Sequence, residues 1–495
     1  MRKNFLLVGA MLVAGTFLGA DVAKAADIKF SGSTMARYEM FNRDLNDSTE
    51  VTGQIGSRIR LNASANIDEK TSAFLQMQGV GVFGDNAATT ANQGAVNRGG
   101  AAVSDTLNDV GFHQAFFTLK NFYDMPVDLK LGRQEIILDG HRLIGNTIWT
   151  LGMQAHDAIR LTHSHGDHTF VYAFSKIGEG DRDSGDGAGT VRNTAGANGV
   201  RADQDAHIFW GNFKGIGGGA LSLYYVMLDI DDDVLNAGST FNDNIIHTIG
   251  FRQAGNIAGF DYRGEFYYQW GDADGSATQQ TLNAGSWDRE AFMIGARLGK
   301  QFGPLKATLW YDYVSGTDEG DASGRTVGSF DTLFDTGHKF YGLMDNFLQM
   351  GLASRSARDV QEDGLGGLGL QDIALKTSYK MNSKWKMKFD FHSFFTAEDA
   401  YVAADTTAAR GAVATALANG SNNDGSSHLG EEIDISLHHK YSQSTSVVVG
   451  YSHFFADDLG NELIGRSFGA GSVGTGNPNS TGDGQWAYVM MNVNF

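Results

Sequence analysis

Apolar and polar residues alternate with a period of two in segment after segment of this sequence. About eighteen such segments can be traced between residues 27 and 495. Successive side chains of a β-strand point to opposite sides, so each segment predicts a strand with one apolar and one polar face. On this basis the chain is expected to be an all-β protein.

The connections between these segments are alternately short and long. Residues 68–70, 255–256, 382–384 and 442–444 are predicted tight turns, whereas residues 84–106, 179–201, 318–365 and 398–427 are long and rich in Gly, Asn, Asp and Ser. Soluble β-sandwiches and propellers have no reason to sort their connections by length. The pattern therefore predicts a transmembrane antiparallel β-barrel of about 18 strands with short periplasmic turns and long extracellular loops.

The two ends of the chain agree with this interpretation. Residues 1–25 combine a basic start, an apolar run and Ala23-Lys24-Ala25, which predicts a cleavable signal peptide followed by a barrel over residues 26–495. The apolar run is shorter than the roughly 20 residues of a spanning helix. The last strand ends on Phe495, which is typical of the signal read by the barrel-assembly machinery. We therefore expect a location in the outer membrane of a Gram-negative cell, surrounded by lipid and lipopolysaccharide.

The charge of the chain is unevenly placed. The formal net charge is −19, and removing the predicted signal peptide leaves −21, so binding of nucleic acid through the bulk surface is not expected. The absence of cysteine excludes a disulfide framework. Strand parity nevertheless turns more basic than acidic side chains toward the lumen, among them Arg58, Arg60, Arg263 and Arg297. This predicts an anion-preferring pore; the alternative is that inward charges merely pair with one another.

Three stretches of the chain resemble the alginate-export porin family. The first is Leu131-Gly132-Arg133-Gln134-Glu135, followed by His141-Arg142-Leu143-Ile144-Gly145 and Asp157-Ala158-Ile159-Arg160-Leu161. The second is Phe330-Asp331-Thr332-Leu333-Phe334 leading to His338-Lys339-Phe340-Tyr341. The third is residues 431–434 with Gly450-Tyr451-Ser452-His453-Phe454-Phe455. They occur in the family's order and cover most of the chain after residue 25.

The resemblance implies a monomeric eighteen-stranded barrel that passes an anionic polysaccharide of uronic acids through an arginine-rich constriction. It implies that Arg133, Arg142 and Arg160 line this constriction, with Asp157 as a paired acid. His338 and Lys339 are expected to fold inward with their loop. The alternative role of these arginines is a salt-bridged network that braces the wall. By strand parity alone Arg133 lies on the lipid-facing side, unless a bulge turns it.

One motif indicates a different chemistry. The run from His163 to His168 matches the His-x-His-x-Asp-His zinc motif of metallo-β-lactamase-like hydrolases. That fold requires a helix after the motif, whereas residues 169–177 alternate as a strand. We interpret the run as a periplasmic turn. No spaced Ser, His and Asp trio stands out, so neither an enzyme nor a cofactor is predicted.

The sequence thus favours a channel for an anionic polysaccharide or other anionic saccharide with a basic, arginine-lined pore. The second hypothesis is a general or small-carboxylate nutrient porin. The third is a zinc-dependent hydrolase using the residues from His163 to His168.

Overall fold

The structure is a computed structural model that describes residues 27–42, 51–83, 110–178, 200–234, 244–273, 288–318, 321, 325–347, 367–399, 427–461 and 482–495. The predicted signal peptide lies outside these residues. The strands are β1 Asp27–Asn42, β2 Thr52–Asn66, β3 Thr71–Val82, β4 Gly111–Leu119, β5 Asp128–Gln134, β6 His156–His165, β7 His168–Gly178, β8 Val200–Ile216, β9 Gly219–Val234, β10 Asn244–Ile257, β11 Phe260–Asp272, β12 Asp288–Phe302, β13 Leu305–Val314, β14 Thr326–Val327, β15 Leu370–Lys380, β16 Trp385–Phe395, β17 His428–Lys440, β18 Thr445–Ala456 and β19 Gly484–Asn494. Single 3-10 turns lie at Phe122–Asp124 and Gly337–Lys339.

Eighteen of these strands close an antiparallel barrel, which confirms the predicted fold. Strand β1 pairs with β2 on one side and with β19 on the other, so the sheet has no free edge there. The last residue takes part in the closure, because the backbone N–H and C=O of Phe495 both bond to Gly32, at 3.0 and 2.7 Å. The two-residue strand β14 belongs to the β13–β15 connection and pairs in parallel with β12.

Short and long connections lie at opposite ends of the barrel, as the sequence predicts. The β6–β7 and β10–β11 hairpins turn through two residues each, at 166–167 and 258–259. The β5–β6 and β13–β15 connections, at the other end, span residues 135–155 and 315–369. Within the described residues, no helix has the length and apolar character needed to cross a membrane.

The two faces of the barrel wall differ in polarity. On β11 the Phe266 side chain is exposed, whereas Glu265 and Gln269 are buried inside. On β16 Met387 is exposed and His392 is fully buried. The apolar set faces outward, toward lipid, and the polar set faces the lumen. This confirms the face assignment made from the alternation in these strands.

Two of the long connections fold into the barrel. Residues 135–155 and the described part of residues 315–347 meet through a bridge in which Phe334 N–H donates to Leu143 O at 2.8 Å and Gly145 N–H donates to Phe334 O at 2.7 Å. Both contribute to a buried apolar cluster against the inner wall that includes Ile136, Leu138, Leu143, Ile144, Phe330, Leu333, Phe334, Phe340, Met344 and Phe347. The loops therefore occupy part of the lumen and leave a narrower space beside them.

Candidate functional site

A basic cavity of about 580 Å³ lies in the lumen between the inward loops and the wall formed by β11 to β17 and β19. Among the described residues that line it, six cationic side chains face two carboxylates. The cations are Arg263, Arg297, Lys306, Lys339, Lys376 and Lys388, and the carboxylates are Asp390 and Asp434. Aromatic side chains complete the lining, among them Trp149, Trp310, Phe340 and Tyr488. The described lining of this cavity therefore carries a surplus of positive charge.

The antiparallel register brings the central side chains together from distant parts of the sequence. Arg263 on β11 lies opposite Arg297 on β12, and Arg297 lies opposite Trp310 on β13. These three side chains form one row across the inner face, because cross-strand partners point to the same side of a sheet. Both arginine side chains are about nine-tenths buried, at 10% and 11% exposure.

Arg142 does not face the cavity. Its side chain is 2% exposed and binds two fully buried carboxylates, Glu265 at 3.1 Å and Asp312 at 2.6 Å, and the Tyr341 hydroxyl at 3.1 Å. Burial opposes the charge, but these neighbours, Asp312 first, raise the pKa of Arg142 well above its ordinary value. The residue therefore fixes the β5–β6 loop to the wall. This placement corrects the expectation that Arg142 lines the passage.

Arg142 also limits how closely Arg263 and Arg297 pair with the same two carboxylates. It takes the short contacts to both carboxylates, so Arg263 lies 3.5 Å from Glu265, and Arg297 lies 4.0 Å from both Glu265 and Asp312. Within the described part of the chain, Nε and Nη2 of both arginines make no hydrogen bond. Both residues line the cavity, whereas these four nitrogen atoms are themselves buried.

The inward loop supplies His338 and Lys339, which both line the cavity. Burial, together with the nearby charges of Arg263 and Arg142, lowers the pKa of Lys339 to about 8. The His338 ring stacks on Trp149 at 4.2 Å, and its Nδ1 contacts Asp345 at 2.7 Å. His338 thus joins the two loops, whereas Lys339 presents a charge that is sensitive to pH.

Arg58 and Arg60 point inward and contact the β5–β6 loop. Nη1 of Arg58 donates to Thr150 O at 3.1 Å. Arg60 donates from Nε to Gln78 at 2.7 Å, and its Nη2 contacts the Met153 sulfur at 2.6 Å. Neither lines the basic cavity. Their position is that of wall residues that hold the loop.

Arg133 and Asp157 lie on the outer face of the barrel. They pair with each other at 3.0 Å across β5 and β6, beside Ile159, which is 41% exposed on the lipid side. No bulge shifts the register of β5 at Arg133, so the alternation along this strand places the Arg133 side chain on the outer face. The expectation that this pair lines the constriction is therefore corrected. Arg160 does point inward, opposite Lys130, but it lies outside the basic cavity.

Sequence reasoning did not select Trp310, Lys376 or the Glu265–Asp312 pair as site residues. One signal was present for Trp310. In residues 305–313 the inward set reads Lys, Thr, Trp, Asp, so this tryptophan belongs to the polar face of its strand. The pairing of Glu265 with Asp312 through Arg142 had no local signal, because it depends on a loop reaching across the lumen.

The His163–His168 run forms the predicted turn between β6 and β7. Nδ1 of His163 contacts the backbone oxygen of Pro126 at 2.5 Å, and the rings of His163 and His165 are 6.4 Å apart. Within the described residues, no group of three or more His, Cys, Asp or Glu side chains is arranged to hold a metal ion.

A sequence model of the family described as alginate export matches residues 27–466. No curated protein matches the sequence. Among solved structures, OccAB2 of Acinetobacter baumannii has a TM-score of 0.52 at 11% identity, covering 95% of this chain and 98% of that one. OccK11 (OpdR) of Pseudomonas aeruginosa has a TM-score of 0.50 at 11% identity, covering 95% and 96%. At this identity the likeness shows a shared barrel fold.

Proposed function

The chain belongs to the alginate export family, and on that premise we propose that it passes an anionic saccharide of uronic acids through its basic lumen. The family and the barrel make the protein a transport channel of the outer membrane rather than an enzyme. One observation carries the choice of substrate: among the described lining residues, six cations face two carboxylates, and Nε and Nη2 of the cavity residues Arg263 and Arg297 make no hydrogen bond.

The proposed mechanism is physical rather than chemical. A guanidinium group offers paired N–H donors that match the two oxygens of a carboxylate. Arg263 and Arg297 provide such contacts close together, and the Lys339 ammonium lines the same cavity, so a uronate bound at one cation can pass to the next. The two arginine contacts are weakened by the nearby carboxylates of Glu265 and Asp312, which permits release. Arg142, Arg58 and Arg60 hold the loops that shape the passage, and Arg160 adds charge to the lumen outside the cavity.

A channel for small carboxylates is the second candidate, and the filling of the lumen favours it. The two inward loops leave a cavity of about 580 Å³, within the roughly 300–1,000 Å³ typical of small-ligand sites. Free mannuronate and its trimer distinguish the candidates. A saccharide channel is blocked by the trimer at much lower concentration than by the monomer, because several cations bind one chain at once. Equal block per carboxylate indicates a small-acid porin.

The decisive experiment uses the full protein in planar bilayers under a KCl gradient. We expect a reversal potential that shows preference for chloride, and block by trimannuronate. The double variant Arg263→Gln/Arg297→Gln raises the half-blocking concentration at least about tenfold, since two charged hydrogen-bonding groups are lost. Arg133→Gln, an outer-face arginine, is the matched control and leaves both measurements unchanged. A cation-selective wild type would refute the proposal.

The expected partners follow from this location. Lipopolysaccharide and phospholipid surround the apolar outer face, and the barrel-assembly machinery inserts the chain by reading the strand that ends at Phe495. The barrel works as a monomer. A discrete dimer band after cross-linking in native membranes would contradict the monomeric state.

A further inference from the structure

We propose that Trp310 is the positioning residue that keeps the lumen cations charged and available, and so sets the anion preference of the channel. The inference deepens the proposed function and rests on it for the identity of the solute. It concerns Trp310, which positions the basic residues, and not the basic residues themselves.

Three cations surround the Trp310 ring. The Arg297 guanidinium lies over the ring, the Arg263 guanidinium lies 5.2 Å from its centroid, and the Lys376 ammonium lies 4.6 Å from it. They come from three strands, β12, β11 and β15, whereas Trp310 is on β13 between them. Trp310 is thus the common neighbour of three of the six cavity cations.

The chemistry of this neighbour matters because an aromatic ring attracts cations without cancelling their charge. The face of an indole is negative through its quadrupole, and the ring carries no net charge. A carboxylate in the same place would hold the three cations equally close but would neutralise one of them. An aliphatic side chain would leave them to repel one another or to move onto Glu265 and Asp312. Only the aromatic ring both gathers the cations and leaves Nε and Nη2 of Arg263 and Arg297 without a hydrogen bond.

The orientation of the ring is fixed by its own hydrogen bond. The indole N–H donates to Asp312 at 2.6 Å, and Asp312 also accepts the short bond from Arg142. Phe340 packs against the ring edge-on, with centroids 6.1 Å apart. These contacts keep the π-faces directed toward the cations.

Two matched variants test the role of the π-face. Trp310→Phe and Trp310→Met both lose the N–H donor and both are smaller than tryptophan, but only Phe retains an aromatic face. We expect the Met variant to need at least about fivefold more trimannuronate for half-block than the Phe variant, with a lower chloride preference. Trp310→Tyr is a second aromatic variant and behaves like Phe. Trp270→Leu, on the outer face against His247, is the control and resembles wild type.

The outcomes separate the two proposals. Heat-modifiable migration on gels first establishes that each barrel is folded. If trimannuronate blocks the wild type, but the Met and Phe variants are blocked equally and share one reversal potential, the inference about Trp310 is overturned and the saccharide channel stands. If trimannuronate does not block the wild type, the saccharide proposal fails. In that case the reversal potential still decides the role of Trp310: lower chloride preference in Met than in Phe supports it, and equal preference refutes it.

Discussion

Replacement of Arg142 by methionine should loosen the inward loops and change the current through single channels. Arg142 joins the β5–β6 loop to both Glu265 and Asp312, at 3.1 and 2.6 Å. Breaking a buried ion pair by removing one partner costs about 3–5 kcal/mol, because the other charge stays buried. Here Arg263 at 3.5 Å and Arg297 at 4.0 Å can move toward the two carboxylates. We therefore expect the free energy that holds the loop against the wall to fall by about 3 kcal/mol, the lower end of this range.

A loss of about 3 kcal/mol raises the equilibrium constant for loop displacement by roughly a hundredfold. The assay is single-channel recording in planar bilayers. We expect frequent transitions to a higher conductance, and a reduced chloride preference as Arg263 and Arg297 become paired. Arg133→Met is the control, because that arginine also has a carboxylate partner but lies on the outer face. Steady wild-type currents and selectivity in Arg142→Met would refute the reasoning.

Other expectations follow from the same geometry. Since the pKa of Lys339 is lowered to about 8, its ammonium is charged below that pH and neutral above it. The chloride preference should thus fall as pH rises through about 8, and Lys339→Met should remove this step; a flat wild-type profile contradicts the assignment. Gly342→Ala should increase current fluctuations, because φ is +82° and a Cβ would lie 2.6 Å from the Glu432 carboxylate that accepts the Met344 N–H. The strain should destabilise the inward loop by about 1–3 kcal/mol. Currents as quiet as those of the wild type would contradict this expectation. Arg58→Met should do the same more weakly, through loss of its bond to Thr150; recordings that match wild type argue against that loop contact.

Much of the fold could be predicted from sequence because its rule is local. A strand that spans a membrane must present apolar side chains on alternate positions, so Phe266 and Glu265 already indicate opposite faces. The sorting of connections by length gave the orientation of the barrel in the same way. Parity also placed Arg263 and Arg297 inside, and it pointed Arg133 outward, against the role that the family motif implied.

The candidate site depended on information that no local pattern contains. Parity states that a side chain faces the lumen, but not which partner it meets there. Arg142 is 170 residues from Asp312, and only the inward fold of its loop brings the two together. Because Arg142 makes the shortest contacts to these carboxylates, Arg263 and Arg297 lie farther from them, at 3.5 and 4.0 Å. The sequence by itself determined a barrel with a polar lumen, because the alternation acts within each strand. Only the tertiary structure decided which lumen charges lack a close carboxylate partner, because pairing depends on strand register and on loops that join distant strands.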